Sequence, residues 1–403
     1  MKKYVFLVKG IDDISGSPRY VNNKCRLLKE QGWEVMVFWN YDVSKVQLEH
    51  LLPFDNKEFI FHELNFYPAW FTKRKRMAII NKIANRIGTA DQIVIESNKL
   101  QLGAWGEMLA KKLHAKHINF VTTEHIKIHR KNTFDYCYAK LKRNEFFTIN
   151  QAAAQYLFSD FLTIQHPENY YWSASPGVEV KECAFAAFDE LPKADFTISH
   201  FGRTKGYFPY MLKELGSFIL QHHDKSFNVF FLGDIDGIAE IRNSLSFPNV
   251  NLAFHPAVEV VPLQVFTRSN AVIATAGCAK LAARYGGKVI AMDVNNRYPL
   301  GLLRYTTLDS NTNSGRYENH KSLSEWLQSL LIDKKVYNEM ETQNVPHRFD
   351  FQMQYVTTPD GKYFDTSYVN EGITKHDKLW IALCKMGLFP LVDRMYFSKR
   401  KKS

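Results

Sequence analysis

Arg203 and Lys205 stand two residues apart between Gly202 and Gly206, in the run HFGRTKGYFPY (His200 to Tyr210). A tight turn asks only for the glycines. The two cations add anion chemistry: a guanidinium grips phosphate oxygens in pairs, an ammonium acts as a point charge, and glycine lets an anion approach the backbone. The run follows an apolar stretch and precedes a helical pattern, and backbone N–H groups at a helix start attract anions. A solvated turn with incidental cations is the plainer alternative.

Three other stretches pair chemistry-bearing residues with small ones. In NAVIATAGCAKLAARYGGKVIAMD, the Thr275-Ala276-Gly277 turn leaves backbone donors for phosphate or sugar hydroxyls, or simply packs a helix onto a sheet. In GIDDISGSPRYV, Ser15, Gly16 and Arg19 follow the first apolar run, where a small-residue loop lets backbone lie close to a ligand. It is not the G-x-G-x-x-G of a dinucleotide site. In VTTEHIKIHR, His125 ends an apolar run and is suited to bind or polarise a hydroxyl, or to a structural hydrogen bond. His125 and His129 have helical metal spacing, but the stretch reads as extended and lacks a third ligand, so no metal is expected.

These residues need a scaffold that brings strand ends together, and the pattern predicts one. Lys3–Val8 reads as a strand, 18–31 as a helix stopped by Gly32, and 33–39 as the next strand: a βαβ unit. The alternation continues through strands at 92–97, 118–125, 146–150 and 161–165 and a helix at 100–113. Residues 181–193 lose the rhythm and read as a linker. A second alternation follows, with strands at 195–202, 228–234, 249–254, 270–277 and 288–293 and helices at 207–223, 237–245, 260–269 and 278–285. The class is α/β with two doubly wound domains, whose ligands belong at the carboxyl ends of the strands.

Composition narrows the partners. The 403 residues carry a formal net charge of +11, which favours an anionic partner: nucleic acid, a membrane surface or a phosphorylated substrate. No nucleic-acid motif accompanies the charge, so nucleic acid is not expected. Two aromatic-basic segments, NFYPAWFTKRKRM (65–77) and GLFPLVDRMYFSKRKKS at the end, point to an anionic membrane surface; a solvated loop and a frayed tail are the alternative. The start lacks a signal peptide's apolar region, and no run has the ~18 apolar residues of a membrane span. Five scattered cysteines without a C-x-x-C pair fit reduced thiols in a cytoplasmic protein.

The order of these stretches resembles the GT-B glycosyltransferases, particularly family 4. SGSPRYVNNKCRLLKEQGWEVMVF is similar to the family's glycine-rich first loop, helix and strand; FVTTEH to its strand ending in His; SPGVEV to its N-G-V-D; FGRTKG to the G-R…K-G that holds the donor diphosphate; and VFFLGD to the strand that follows. The resemblance implies two facing Rossmann-like domains and a C-terminal crossover helix. Residues 1–185 would form the acceptor side, 194–370 the nucleotide-sugar donor domain, and 371–403 the crossover helix and basic tail.

It also implies transfer of a sugar from a nucleotide-sugar donor to a glycan or lipid-linked acceptor in cell-surface polysaccharide synthesis, at the inner membrane face. Gly202, Arg203, Lys205, Thr275 and Gly277 would hold the donor, Ser15, Gly16 and Arg19 the acceptor side, and His125 would act in catalysis, with no cofactor. One departure stands out. The family's paired glutamates are absent, no acidic residue lies between Asn270 and Ile290, and Lys280 and Leu281 stand where the ribose-holding one is expected. A catalytically degenerate scaffold and a nucleotide-sugar epimerase are the alternatives.

Overall fold

In the computed structural model, residues 1–11, 16–40, 48, 59–123, 126–149, 151–165, 179–204, 206–293, 297–307, 321–340, 363–371 and 375–400 are described. The chain forms two compact units, Met1–Gly177 with Pro346–Ser403, and Val178–Val345. His125, Ser15 and Lys205 lie outside the described residues, as does most of the SPGVEV stretch.

The first unit alternates β1 (Lys2–Val8), α1 (Gly16–Glu30), β2 (Glu34–Trp39), α2 (Lys73–Ile87), β3 (Gln92–Ser97), α3 (Leu100–Leu113), β4 (Lys116–Val121), α4 (Lys131–Lys142), β5 (Phe146–Thr148) and α5 (Gln151–Phe158). Its five strands are all parallel, in the order β2-β1-β3-β4-β5. From Tyr4 to Val8 every residue of β1 is fully buried. A continuous apolar run is what a parallel strand covered on both faces needs. Tyr4, Phe6 and Val8 meet Tyr20, Val21, Cys25 and Leu28 of α1. Val5 and Leu7 join the core that holds α2, α3 and the C-terminal helix pair Lys375–Lys385 and Phe389–Arg400.

The second unit comprises β6 (Val180–Lys181), α6 (Ala186–Asp189), β7 (Phe196–Phe201), α7 (Phe208–Gln221), β8 (Phe227–Leu232), α8 (Ile238–Ser244), β9 (Val250–His255), β10 (Val261–Pro262), α9 (Gln264–Thr267), β11 (Ala271–Ala274), α10 (Ala276–Arg284), β12 (Val289–Met292), β13 (Pro299–Leu302) and α11 (Leu323–Leu327). Its main sheet runs β13-β12-β11-β7-β8-β9, parallel except for the edge strand β13. Counted within that sheet, this is the 3-2-1-4-5-6 order of dinucleotide-binding folds, and its direction reverses between β7 and β11. Both units are thus Rossmann-like α/β layers.

Several expectations change. The strand expected at 161–165 is absent: α5 ends at Phe158, whose carbonyl accepts from the N–H groups of Phe161 and Leu162 (both 2.9 Å). Those bonds cap a helix and leave nothing for a sheet. The helix expected at 260–269 splits into β10 and α9, with Pro262 closing the two-residue pairing to β6. The expected linker carries β6 and α6, and buries Phe188 edge-on to Phe230.

The aromatics of the run at 65–77 turn inward. Phe66, Trp70 and Phe71 are buried; Phe66 meets Trp70 and Phe389, and Phe71 meets Trp105 and Phe389. The cations open α2, capped by Thr72, whose hydroxyl accepts from the Lys75 N–H. Among the described residues no helix is long and apolar enough to cross a membrane.

Candidate functional site

At the switch point of the second sheet, β7 lies between β8 and β11, with Phe201 level with both Leu232 and Ala274. Three strands therefore end together, and three loops leave side by side. Gly202 has φ +128° and Gly233 φ +148°, both closed to ordinary side chains. The Gly202 N–H donates to the Leu232 carbonyl (2.9 Å) and the Gly233 N–H to that of His255 (3.0 Å). A Cβ on Gly233 would fall 2.0 Å from the Gly202 carbonyl oxygen. The first two loops thus touch backbone to backbone. They are then laced by Thr204, whose N–H donates to the Asp234 carbonyl and whose hydroxyl accepts from the Asp236 N–H (both 3.1 Å).

This lacing presents Arg203. Its side chain is exposed and makes no hydrogen bond or ion pair among the described residues. On the other side of Gly202 stands the third loop: a Cβ on Gly202 would come 3.2 Å from the Cys278 sulfur in the first turn of α10. Gly277 is exposed in the same turn, whose N–H groups have no acceptor within the helix. Thr275 enters differently from expectation. It is buried and its hydroxyl donates to the Met292 carbonyl (2.8 Å), so it serves as a strut tying the loop to β12. The fold therefore gathers Gly202, Arg203, Thr275 and Gly277 at one edge, with a guanidinium and the positive end of a nine-residue helix beside a glycine floor. That combination suits an anion with two or more oxygens.

Beneath the loop, β7 and the turn before α7 are locked by His200 and Tyr207, whose ring Nε2 and hydroxyl are 2.9 Å apart. Burial pushes the His200 pKa down to about 3, so the imidazole stays neutral. Sequence reasoning passed over this pair and Cys278, Thr204 and Gly233; the only local signal was the glycine of FLGD.

In the first unit the corresponding edge holds Gly16, exposed at the start of α1, and Arg19, half-buried one turn on. Ser17 and Thr122 link α1 to the end of β4 through hydroxyls 3.5 Å apart, and Thr122 donates to the Asn98 carbonyl (3.3 Å). Behind them is a fully buried network. The Glu96 carboxylate accepts from Lys24 (2.7 Å), Tyr4 (2.6 Å), Tyr20 (2.9 Å) and Asn98 (3.1 Å). Burial pushes the Lys24 pKa down and Glu96 opposes it. The network fixes α1 on the sheet and thereby the position of Gly16 and Arg19.

Ser97, His117 and Glu107 form a relay of another kind, with the Ser97 hydroxyl 3.0 Å from His117 Nε2 and His117 Nδ1 2.8 Å from Glu107. The spacing is that of a nucleophile, base and orienting carboxylate. All three are buried, and α3 closes over them: a Cβ on Gly106 would lie 2.3 Å from the Ser97 hydroxyl. Lys140 also donates to Glu107 (2.9 Å). Burial would raise the Glu107 pKa, but Lys140 and His117 outweigh it and hold it well below the carboxylate range. This is a structural strut with no room for a substrate. His129, the other half of the histidine spacing, pairs with Asp160 (2.9 Å).

No protein-family model matches the chain, and no curated protein matches its sequence. Solved structures resemble it. Anabaena Alr3699/HepE in complex with UDP is similar over 83% of this chain and 91% of its own, at 11% identity and a TM-score of 0.48. A glycosyltransferase from Rickettsia africae ESF-5 is similar over 72% of this chain and 80% of its own, at 14% identity and a TM-score of 0.47. A putative UDP-N-acetylglucosamine 2-epimerase from Listeria monocytogenes is similar over 74% and 81%, at 12% identity and a TM-score of 0.42.

Proposed function

We propose that the chain is a glycosyltransferase, related to family 4, that uses a nucleotide-sugar donor. The observation that carries this reading is Arg203, exposed and without a partner among the described residues on a loop fixed by the Gly202–Gly233 contact, beside the first turn of α10. Placed against a diphosphate, the guanidinium, Lys205 and the α10 dipole offset charge that grows as the nucleoside diphosphate departs. The second unit takes the donor and the first unit the acceptor, a glycan or lipid-linked sugar of surface-polysaccharide synthesis. Gly16 and Arg19 flank that acceptor and His125 polarises its hydroxyl. Lys280 and Leu281, standing where a carboxylate would hold the donor ribose, favour a second reading: a scaffold that keeps nucleotide binding and has lost transfer.

Thermal unfolding with a panel of nucleoside diphosphates tests the donor site. A ligand at 100 times its Kd stabilises by about 2.7 kcal/mol, which moves Tm by several degrees. We expect one base to shift the wild type and Arg203→Ala to abolish the shift. No shift with any nucleotide sinks the reading. A shift without sugar transfer to any acceptor selects the scaffold.

A further inference from the structure

The first unit carries a second basic feature that the donor reading does not use. A pocket of about 680 Å³ opens between the starts of α2 and α4, the segment 367–370 and the end of the helix Lys375–Lys385. Its lining includes Arg76, Arg130, Lys131 and Lys385, and among the described residues no carboxylate lines it. We propose that this pocket binds a phosphoryl group.

The walls are built, not loosely apposed. Arg76 donates through Nη1 to the Phe71 carbonyl (2.7 Å) and sits against that of Pro68 (3.4 Å), which fixes its guanidinium at the α2 side. Asn370 is held by the Trp70 indole N–H on its side chain (3.3 Å) and by the Thr133 hydroxyl on its carbonyl (3.1 Å). The Asn132 amide donates to the Tyr368 carbonyl. Three stretches far apart in sequence are therefore pinned into one rim.

Lys131 is paired with Asp135, and the Glu371 carboxylate beside the rim accepts from the His129 and Arg130 backbone N–H groups (2.8 and 3.3 Å), so the positive excess is what Arg76, Arg130 and Lys385 carry over that one carboxylate. A carboxylate brings one charge and two oxygens. A phosphoryl group brings close to two charges and three oxygens, which matches cations arriving from three directions. The group has two sources, a lipid headgroup or a soluble sugar phosphate. Met386, Leu388 and Leu391, exposed just beyond Lys385, are the reason to test lipid.

The test is calorimetric titration of inorganic pyrophosphate into the full chain carrying Arg203→Ala, which silences the loop of the second unit. The same titration is made with Arg130→Ala and Lys385→Ala added. Both added side chains are exposed, and near-UV circular dichroism checks that the fold is kept. Removing two charge-assisted contacts is expected to weaken binding roughly tenfold or more. Equal binding by both proteins, or none by either, overturns the proposal.

Flotation with phosphatidylcholine vesicles, with and without phosphatidic acid, then identifies the source. Capture that needs phosphatidic acid and is lost in the Arg130→Ala, Lys385→Ala protein supports the pocket and assigns a lipid headgroup. Displacement of pyrophosphate by glucose 1-phosphate without vesicle capture supports it and assigns a soluble phosphate. The result is separable from the donor reading, whose failure shows in nucleotide response at Arg203 and leaves this pocket untouched.

Discussion

Gly233 shows how much one residue without a side chain decides. Its φ of +148° excludes ordinary residues, and a Cβ would sit 2.0 Å from backbone that cannot rotate away. Gly233→Ala therefore combines backbone strain with a clash, and is expected to cost about 3 kcal/mol or more in urea unfolding of the second unit. The nucleotide response should vanish with it, because Arg203 is aimed by the same contact. Gly16→Ala is the matching control: among the described residues nothing lies within 4 Å of its Cβ, so stability should change by no more than about 0.5 kcal/mol. Equal costs at the two glycines would remove the argument that loop contact positions Arg203. At this scale the sequence marks FGRTKG as a turn and FLGD as the end of a strand. It does not show that the turns touch, since Gly202 and Gly233 meet only after β7 and β8 pair. The strut role of the Thr275 hydroxyl is likewise invisible in sequence, since its partner, the Met292 carbonyl, belongs to a different strand.

At the scale of elements, α3 offers a test of sign. Glycine inside a helix ordinarily costs about 1 kcal/mol relative to alanine, so Gly→Ala should stabilise. In α3 it should do the opposite. A Cβ on Gly106 would lie 2.3 Å from the Ser97 hydroxyl and 2.4 Å from His117 Nε2, and one on Gly103 would overlap the Asn119 amide. Gly106→Ala should lower stability by about 2 kcal/mol or more through overpacking at a buried polar relay. A gain in Tm would mean that the helix sits further from the sheet than described. Apolar patterning made β3 and α3 legible to the residue, because each is set by local pattern and buried on a continuous face. Pattern failed at α2. Four consecutive cations looked like a surface run, while the apolar positions Ile79, Ile80, Ile83 and Ile87 that bury the helix lie further along it. The aromatics before it looked lipid-seeking because their partners, Trp105 and Phe389, are distant in sequence.

Across the whole molecule, each unit hides one neutral histidine among the described residues, and together they give the chain an acid-sensitive stability. Burial and the nearby Lys140 push the His117 pKa down to about 4, against the opposing pull of Glu107; burial alone takes His200 to about 3. In the unfolded chain both titrate near the ordinary value of ~6.5. Above that pH neither state binds the proton, and the pair adds no pH dependence. Below it the unfolded chain takes up protons that the folded chain refuses, so stability falls with acidification until the folded pKa is reached. The slope is about 1.4 kcal/mol per pH unit for each histidine, or about 2 kcal/mol each between pH 6.5 and 5. His200→Gln retains a polar partner for the Tyr207 hydroxyl and cannot titrate. Urea unfolding of wild type and variant at pH 7 and pH 5 isolates the effect, since the carboxylates common to both cancel. The variant should lose about 2 kcal/mol less than the wild type on acidification. Because His200 belongs to the second unit, the difference should appear in that unit's transition and leave the transition of the unit holding His117 unchanged. Identical acid sensitivity in the two proteins would mean that His200 is protonated in the folded chain, and that the lock between β7 and the turn before α7 opens with pH.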